Sequence, residues 1–206
     1  MTRRVALMGN PNVGKSTIFN GLTRLRQHTG NWAGVTVSCA MGQFSYGGQD
    51  FSAVDLPGIY SFDTRSAEEE LTKDFILNED YDFLLVVCDA TCLERGLYLL
   101  SQAAGLLEHR EEAGPMPQAV LCVNLCDEAE KKGIRIDFKA LERSLGIPVT
   151  PCCGRTAKGL LTLKKLLASL AASCPCACAS CSLGSPYRRL PSAFSPKDLA
   201  AQAVTY

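Results

Sequence analysis

A glycine-rich segment near the N-terminus carries the residues best suited to binding phosphate. Gly9-Asn10-Pro11-Asn12-Val13-Gly14-Lys15-Ser16 fits G-x-x-x-x-G-K-[ST] and lies between a predicted strand and a predicted helix. In that setting backbone N–H groups and the helix N-terminus surround the phosphates, while the lysine reaches the β- and γ-phosphates and the serine hydroxyl ligates Mg²⁺. We therefore predict a P-loop, with nucleotide contacts that extend to Thr17.

Two further segments can serve the triphosphate. Asp55-Leu56-Pro57-Gly58 closes a predicted strand, where the aspartate can hold Mg²⁺ through water and the glycine N–H can meet the γ-phosphate. Thr36 lies between this motif and the P-loop, and its hydroxyl and carbonyl are candidates to sense Mg²⁺ and the γ-phosphate. The residues alone are equally compatible with an ordinary strand threonine at this position.

A third segment, Asn124-Leu125-Cys126-Asp127, follows a predicted strand at the position of a base-binding loop. A carboxylate there accepts hydrogen bonds from N1–H and the 2-amino group of guanine, donors that adenine does not present in that arrangement. Asp127 therefore predicts GTP and GDP as ligands, with a simple helix cap as the alternative interpretation. Leu125 stands where lysine is usual, which shortens the aliphatic cover over the base.

The elements that must position these residues alternate between strand and helix up to about residue 170. Apolar runs at Phe83–Cys88 and Ala119–Val123 predict strands buried on both faces, and Val35–Tyr46 and Phe51–Leu56 predict an antiparallel pair joined at Gly47-Gly48. Further strands are predicted over Arg4–Met8 and Pro148–Thr150, and helices over Ser16–Leu25, Ala67–Leu77, Leu93–Leu107, Phe138–Leu145 and Leu160–Leu170. We expect an α/β fold, a P-loop NTPase of small-GTPase type with a mostly parallel six-stranded sheet, one antiparallel strand and helices on both faces.

Composition narrows the class of protein. The 206 residues carry 21 Lys+Arg and 21 Asp+Glu, and this zero net charge argues against a nucleic-acid partner. A hydrophobic content of 47% is enough for a core, and no apolar run reaches the roughly 18 to 20 residues of a membrane span. The sequence as given is therefore expected to be soluble, and its N-terminus does not resemble a signal peptide.

The end of the chain has a different character. We expect a GTP-binding domain over residues 1–170, a Cys/Ser/Ala/Pro-rich linker over 171–194 and a short helical segment over 195–206, with Ser195 as N-cap. Most of the eleven cysteines are expected to be buried thiols in a reducing compartment. Four of them are crowded into C-x-C-x-C-x-x-C, which leaves open a metal site or a weakly ordered linker: Cys174, Cys176, Cys178 and Cys181.

Several segments together resemble the cytosolic N-terminal GTPase domain of the FeoB ferrous iron transporters over about residues 3–170. The most specific is Gly30-Asn31-Trp32-Ala33-Gly34-Val35-Thr36-Val37, which generic small GTPases lack. The others are Asp55-Leu56-Pro57-Gly58-Ile59-Tyr60-Ser61, Asp89-Ala90-Thr91 with Leu93-Glu94-Arg95, and Asp127-Glu128-Ala129-Glu130-Lys131-Lys132-Gly133.

The resemblance implies roles for individual residues. Ser16, Thr36 and Asp55 would serve Mg²⁺, and Asn12 would help to bind K⁺ with backbone carbonyls near Gly30–Trp32. Switch I would span Gly30–Thr36, with Gly34 and Val35 at the nucleotide, and switch II would begin with Asp55–Ser61. The predicted catalytic residues are Lys15, Thr36 and Gly58.

Two positions affect the expected rate and affinity. Ile59 follows Gly58, as in the family, where Ras-like enzymes have a glutamine that orients water, so unaided hydrolysis should be slow. Cys153-Gly154, leading into Arg155, takes the place of the family's Ser-Ala in the last base-contacting loop. A Gly154 N–H can still meet guanine O6, but the loss of side-chain anchoring would speed nucleotide release.

The resemblance thus implies a regulatory domain of a ferrous iron transporter that binds and slowly hydrolyses GTP, with Mg²⁺ and K⁺ as cofactors. Its expected partners are guanine nucleotide, a polytopic membrane domain absent from this sequence and other copies of the chain, at the cytoplasmic face of the bacterial inner membrane. Two alternatives are a free-standing ribosome- or tRNA-related GTPase and a metal-binding or redox-sensing module that uses the four clustered cysteines.

Overall fold

A computed structural model of the chain describes residues 2–24, 27–31, 38–63, 66–110, 116–173 and 194–205. The strands are β1 (Arg3–Gly9), β2 (Gln27–Asn31), β3 (Ser38–Tyr46), β4 (Gln49–Asp55), β5 (Phe83–Asp89), β6 (Gln118–Asn124), β7 (Arg135–Ile136), β8 (Val149–Pro151) and β9 (Val204–Thr205). The helices are α1 (Lys15–Thr23), α2 (Ala67–Asn78), α3 (Leu93–Glu108), α4 (Cys126–Lys131), α5 (Phe138–Leu145), α6 (Ala157–Ser173) and α7 (Pro196–Ala203).

The main sheet has the strand order β2-β3-β4-β1-β5-β6-β8. Strands β4, β1, β5, β6 and β8 pair in parallel, and β3 runs antiparallel to β4. This mixed sheet confirms the predicted fold class. One edge strand, β2, was not predicted; its sequence Gln-His-Thr-Gly-Asn has no apolar alternation, and it pairs antiparallel with β3.

Alternation along β1 shows how the sheet is covered on both faces. Val5 and Leu7 pack with α1 and α6, whereas Ala6 and Met8 pack with α2, α3, α5 and α7. Successive strand side chains point to opposite faces, so one buried strand supplies both cores. The continuous apolar runs of β5 and β6 have the same cause.

Helix α6 is longer at both ends than predicted. Helix α6 begins at Ala157 and ends at Ser173, whereas the prediction covered only Leu160–Leu170. Thr156 explains the earlier start, because its hydroxyl accepts a hydrogen bond from Gly159 N at 3.2 Å and so satisfies a first-turn donor.

Helix α7 confirms the predicted cap, since the Ser195 hydroxyl accepts from Asp198 N at 3.2 Å and Pro196 occupies the first turn. Its Leu199 and Ala203 are buried in the core beside α3 and α5. The chain then forms β9, which pairs antiparallel with β7 in a small second sheet that was not predicted. Within the described ranges, no helix is both long and apolar enough to cross a bilayer.

Helix α3 offers a direct test of how closely it approaches the sheet. A Cβ at Gly96 would lie 2.2 Å from Cys88 Sγ and 2.6 Å from Cys88 Cβ, whereas a Cβ at Gly105 would have no atom within 4 Å. We expect Gly96→Ala to lower the free energy of unfolding by about 1–3 kcal/mol, because overpacking outweighs improved helix propensity.

The matched control is Gly105→Ala, which should raise that free energy by up to about 1 kcal/mol, because alanine is the better helix former. Urea titrations of both variants measure the difference. Equal stabilities for the two variants would contradict the close packing of α3 on β5.

Candidate functional site

The chemical residues converge because four parallel strands end at one edge of the sheet. Strand β1 leads into the P-loop at Gly9, β4 ends at Asp55, β6 ends at Asn124 and β8 leads into the loop at Cys153. Between them lies a cleft of about 520 Å³. The described residues that line it all belong to the predicted nucleotide set: Asn10, Pro11, Asn12, Gly14, Lys15, Ser16, Thr17, Gly58, Asn124, Leu125, Cys153, Gly154 and Arg155.

The phosphate end of this cleft is built around Lys15 and Asp55. The Lys15 ammonium group, on a side chain only 8% exposed, bonds to the Asp55 carboxylate and to the Leu56 carbonyl. The Ser16 hydroxyl donates to the other Asp55 oxygen at 2.9 Å. Asp55 therefore contacts both the predicted phosphate lysine and the serine predicted to ligate Mg²⁺.

The start of the predicted switch II is held against the P-loop. Ile59 N donates to Gly9 O at 3.2 Å, and the buried Asn10 side chain donates to Ile59 O at 3.1 Å. A Cβ at Gly58 would lie 3.2 Å from Pro11 Cα, so a side chain there would push the two segments apart by a few tenths of an ångström. The Ile59 side chain is 2% exposed and packs in the core, which leaves it unable to orient a water molecule.

Asn124 joins the P-loop to the 152–156 loop. Its amide nitrogen donates to Val13 O at 2.9 Å, and its amide oxygen accepts from Gly154 N, also at 2.9 Å. The side chain is 1% exposed. Gly14 lies directly beside it with a φ of +81°, and a Cβ at Gly14 would come within 2.4 Å of Asn124 Nδ2. Sequence motifs name Asn124 as a base contact but do not reveal this bridging role.

Asp127, the predicted base-binding residue, does not itself line the cleft but contacts Cys153, which does. Asp127 lies in the first turn of α4, and its enclosed Oδ1 atom has no hydrogen-bond partner among the described residues. A hydrogen bond from the Cys153 thiol lowers the pKa of Asp127, and burial followed by that same contact raises the pKa of Cys153. At neutral pH the thiol is therefore protonated and donates, while the carboxylate is ionised and accepts.

The remaining predicted residues either lie at or beside the cleft or fall outside the described residues. Asn12 is exposed at the cleft with a φ of +66°. Four other predicted residues belong to the loops around the cleft but do not line it: Gly9, Val13, Leu56 and Pro57. Other predicted positions lie outside the described residues: Trp32, Gly34, Val35 and Thr36 of switch I, and the four clustered cysteines. In the described part of the chain, no group of three or more His, Cys, Asp or Glu side chains is arranged to hold a metal ion.

A P-loop after β1, an Asp-x-x-Gly after β4 and an Asn-x-x-Asp after β6, in this strand order, define the G domain of a P-loop GTPase. Residues 3–167 match the family FeoB_N, described as ferrous iron transport protein B. The chain belongs to this FeoB family. It is 43% identical over 164 residues to the Fe(2+) transporter FeoB of Shigella flexneri, an alignment that covers 78% of this chain and 20% of that protein.

Solved structures agree with the sequence comparison. The cytosolic domain of T. maritima FeoB in a GDP form has a TM-score of 0.75 at 37% identity, over 85% of this chain and 66% of that one. The G domain of T. maritima FeoB has a TM-score of 0.71 at 38% identity, over 83% and 99% respectively. The chain therefore spans about a fifth of the curated relatives that it matches and nearly all of an isolated G domain.

The Asn124 bridge predicts a large stability effect. Asn124→Ala leaves Val13 O and Gly154 N buried without their partner, at a cost of about 1–3 kcal/mol for each group. Asn78→Ala, which removes only a surface contact with Asp74, should change the free energy of unfolding by about 0.5 kcal/mol or less. Chemical denaturation measures both, and similar values for the two variants would contradict a bridging role.

Proposed function

We propose that this chain binds guanine nucleotides and slowly hydrolyses GTP, as the regulatory G domain of a ferrous iron transporter. The observation that carries the proposal is the convergence of Lys15, Ser16, Asp55, Asn124 and the Cys153 loop on one cleft in a chain of the FeoB family. The GDP form of the related T. maritima domain supports the choice of nucleotide.

Preference for guanine rests on Asp127. Its carboxylate is ionised and only accepts hydrogen bonds, which suits the N1–H and 2-amino donors of guanine. Adenine presents no such pair of donors. The neighbouring Cys153 thiol fixes the orientation of the carboxylate by donating to it, and Gly154 and Arg155 border the same end of the cleft.

Phosphate binding rests on Lys15, the P-loop backbone and the N-terminus of α1. The adjacent oxygens of Ser16 and Asp55 suit Mg²⁺, a hard cation that prefers oxygen ligands. Bound there with phosphate oxygens, Mg²⁺ would neutralise the charge that develops during phosphoryl transfer. Thr36, as a further ligand, belongs to the same proposal, as does Gly58 N–H as a donor to the γ-phosphate.

Slow hydrolysis follows from the burial of Ile59. Because this side chain packs in the core, it supplies no group to orient water, and we expect an unaided rate on the order of 10⁻⁴ to 10⁻² s⁻¹. Asn12 is exposed at the cleft, where its side-chain oxygen can help to hold K⁺ beside the phosphates. A cation in that position would take the electrostatic role of an arginine finger.

The length of the relatives supports a role within a larger protein. Because curated FeoB proteins are about five times longer than the matched region, we infer that the domain works with an attached polytopic membrane domain that carries Fe²⁺. The G domain would then lie at the cytoplasmic face of the bacterial inner membrane. The proposal includes association of several copies of this membrane-attached protein.

Asp127→Asn tests base recognition. The substituted amide replaces an acceptor with a donor, so GDP affinity should fall by at least about 10- to 100-fold, whereas xanthosine diphosphate, with an oxygen in place of the 2-amino group, should gain affinity. Asp80→Asn is the control, since its side chain is 75% exposed and precedes β5 at the opposite edge of the sheet. Calorimetric titration of the wild type and both variants with the two nucleotides measures all six affinities, and unchanged GDP binding by Asp127→Asn would refute the assignment.

The potassium proposal has a separate test. GTP turnover should be faster in KCl than in NaCl at equal ionic strength, and Asn12→Ala should remove that difference because the side-chain ligand is lost. Phosphate release at saturating GTP measures the rates, with Asn78→Ala as the matched control and Lys15→Ala as the inactive reference. Equal wild-type rates in the two salts would reject K⁺ activation without affecting the proposal of GTP binding.

A further inference from the structure

One exposed face of α3 contacts the chain that follows Gly58. Arg95, Tyr98 and Gln102 are spaced at i, i+3 and i+7, which places them on the same side of the helix. We call these three residues the α3 seat. Of the three, only Arg95 belongs to a segment named in the sequence analysis, and none of them lines the nucleotide cleft.

The Gln102 side chain both accepts and donates hydrogen bonds with the segment 60–63. Its amide oxygen accepts from Phe62 N at 3.1 Å, and its amide nitrogen donates to Asp63 Oδ2 at 2.9 Å. The Tyr98 hydroxyl donates to the same Asp63 oxygen at 3.1 Å. Backbone and side chain of the segment are therefore both held by α3.

Charge and packing support the same arrangement. The hydrogen bond to the Asp63 carboxylate raises the pKa of Tyr98, so its hydroxyl is protonated and donates throughout the neutral pH range. The Arg95 guanidinium lies 5.9 Å from the centre of the Tyr60 ring, and the Phe62 side chain packs against the core. Each residue from 60 to 63, apart from Ser61, thus contacts α3 or the core beneath it.

The other end of the same segment is tied to the phosphate residues. Ile59 bonds to Gly9 and Asn10, and the Lys15 ammonium bonds to the Leu56 carbonyl. A γ-phosphate would use Lys15 and the N–H of Gly58, so its binding would compete with the Lys15–Leu56 contact and act on the chain around Gly58. The α3 seat holds residues 60–63 in the same arrangement in which Lys15 contacts the Leu56 carbonyl.

We propose that Tyr98, Gln102 and Arg95 are positioning residues that act through Asp63 and its neighbours to favour GDP over GTP. This inference rests on the proposed function, and it assigns the α3 seat a role in discrimination between diphosphate and triphosphate. Because coupling between two sites is reciprocal, a γ-phosphate that displaces the segment must weaken the seat, and a weakened seat must improve relative binding of the triphosphate. Loss of a hydrogen bond of this kind should change the affinity ratio about 3- to 10-fold.

The experiment measures the affinities of the wild-type chain and its variants for GDP and the non-hydrolysable analogue GMPPNP in Mg²⁺ buffer. Gln102→Ala and Asp63→Ala should each shift the ratio toward GMPPNP by about 3- to 10-fold. Asp63→Asn retains an accepting side-chain oxygen and should restore most of the wild-type ratio. Glu108→Gln, an exposed change on the same helix, should leave the ratio unchanged.

Two readouts separate a positioning role from a general loss of structure. Hydrogen exchange of the Phe62 amide should accelerate in Gln102→Ala and stay at the wild-type rate in Glu108→Gln. The double variant Asp63→Ala/Gln102→Ala should shift the ratio little further than either single variant, because both remove the same contact. If either alanine variant does not fold, Tyr98→Phe, which loses only the hydroxyl donor, carries the same prediction.

An unchanged ratio, a shift toward GDP or an equal change in both affinities would overturn the role of the α3 seat. Failure of the wild-type chain to bind either nucleotide would instead refute the proposed function. The two failures are therefore distinguishable in one set of titrations.

Discussion

The buried side chain of Asn124 holds the three loops of the cleft in one geometry. Its side-chain amide donates to a P-loop carbonyl and accepts from an N–H of the 152–156 loop. Neither backbone group has access to water, so the bridge must be complete for the cleft to keep its shape. The same constraint explains Gly14, since its neighbour Asn124 leaves no room for a Cβ and its φ of +81° favours glycine. The P-loop and the 152–156 loop are thus joined through one amide.

The second constraint is the buried contact between Lys15 and Asp55. Side chains that are 8% and 10% exposed carry opposite charges, and a pair removed so far from water contributes little net stability once desolvation is included. The contact matters because it determines which groups Lys15 bonds to. In the arrangement described, Lys15 bonds to Asp55 and to a carbonyl at the start of switch II, both of which a triphosphate with Mg²⁺ would engage or displace. If a phosphate replaced the Leu56 carbonyl as the partner of Lys15, nucleotide binding would be linked to movement of the chain after Asp55.

Local sequence patterns predicted what depends on local structure and missed what depends on distant contacts. The strand–glycine loop–helix order identified the P-loop, and apolar runs gave β5 and β6 close to their observed bounds. Strand β2 has no apolar alternation and exists through pairing with β3, and the two-residue strands β7 and β9 pair across almost 70 positions. The Asn124 bridge to Val13 spans 111 positions and the Gln102 contact to Phe62 spans 40, separations at which no periodic signal survives. The start of α6 could have been predicted from the sequence, because Thr156 is a residue type that favours helix caps.

Helix α3 connects these constraints to the end of the chain. Its exposed face receives residues 60–63, while the helix also contacts α7, whose Leu199 and Ala203 are buried in the same core. Gly96 brings α3 into direct contact with β5, so the helix cannot shift toward the sheet without steric overlap at Cys88. A helix packed this closely transmits displacement as a rigid body or by sliding, rather than by bending. Release of switch II from one side of α3 would therefore act on an element that α7 contacts directly, which places the C-terminal segment one helix away from the nucleotide.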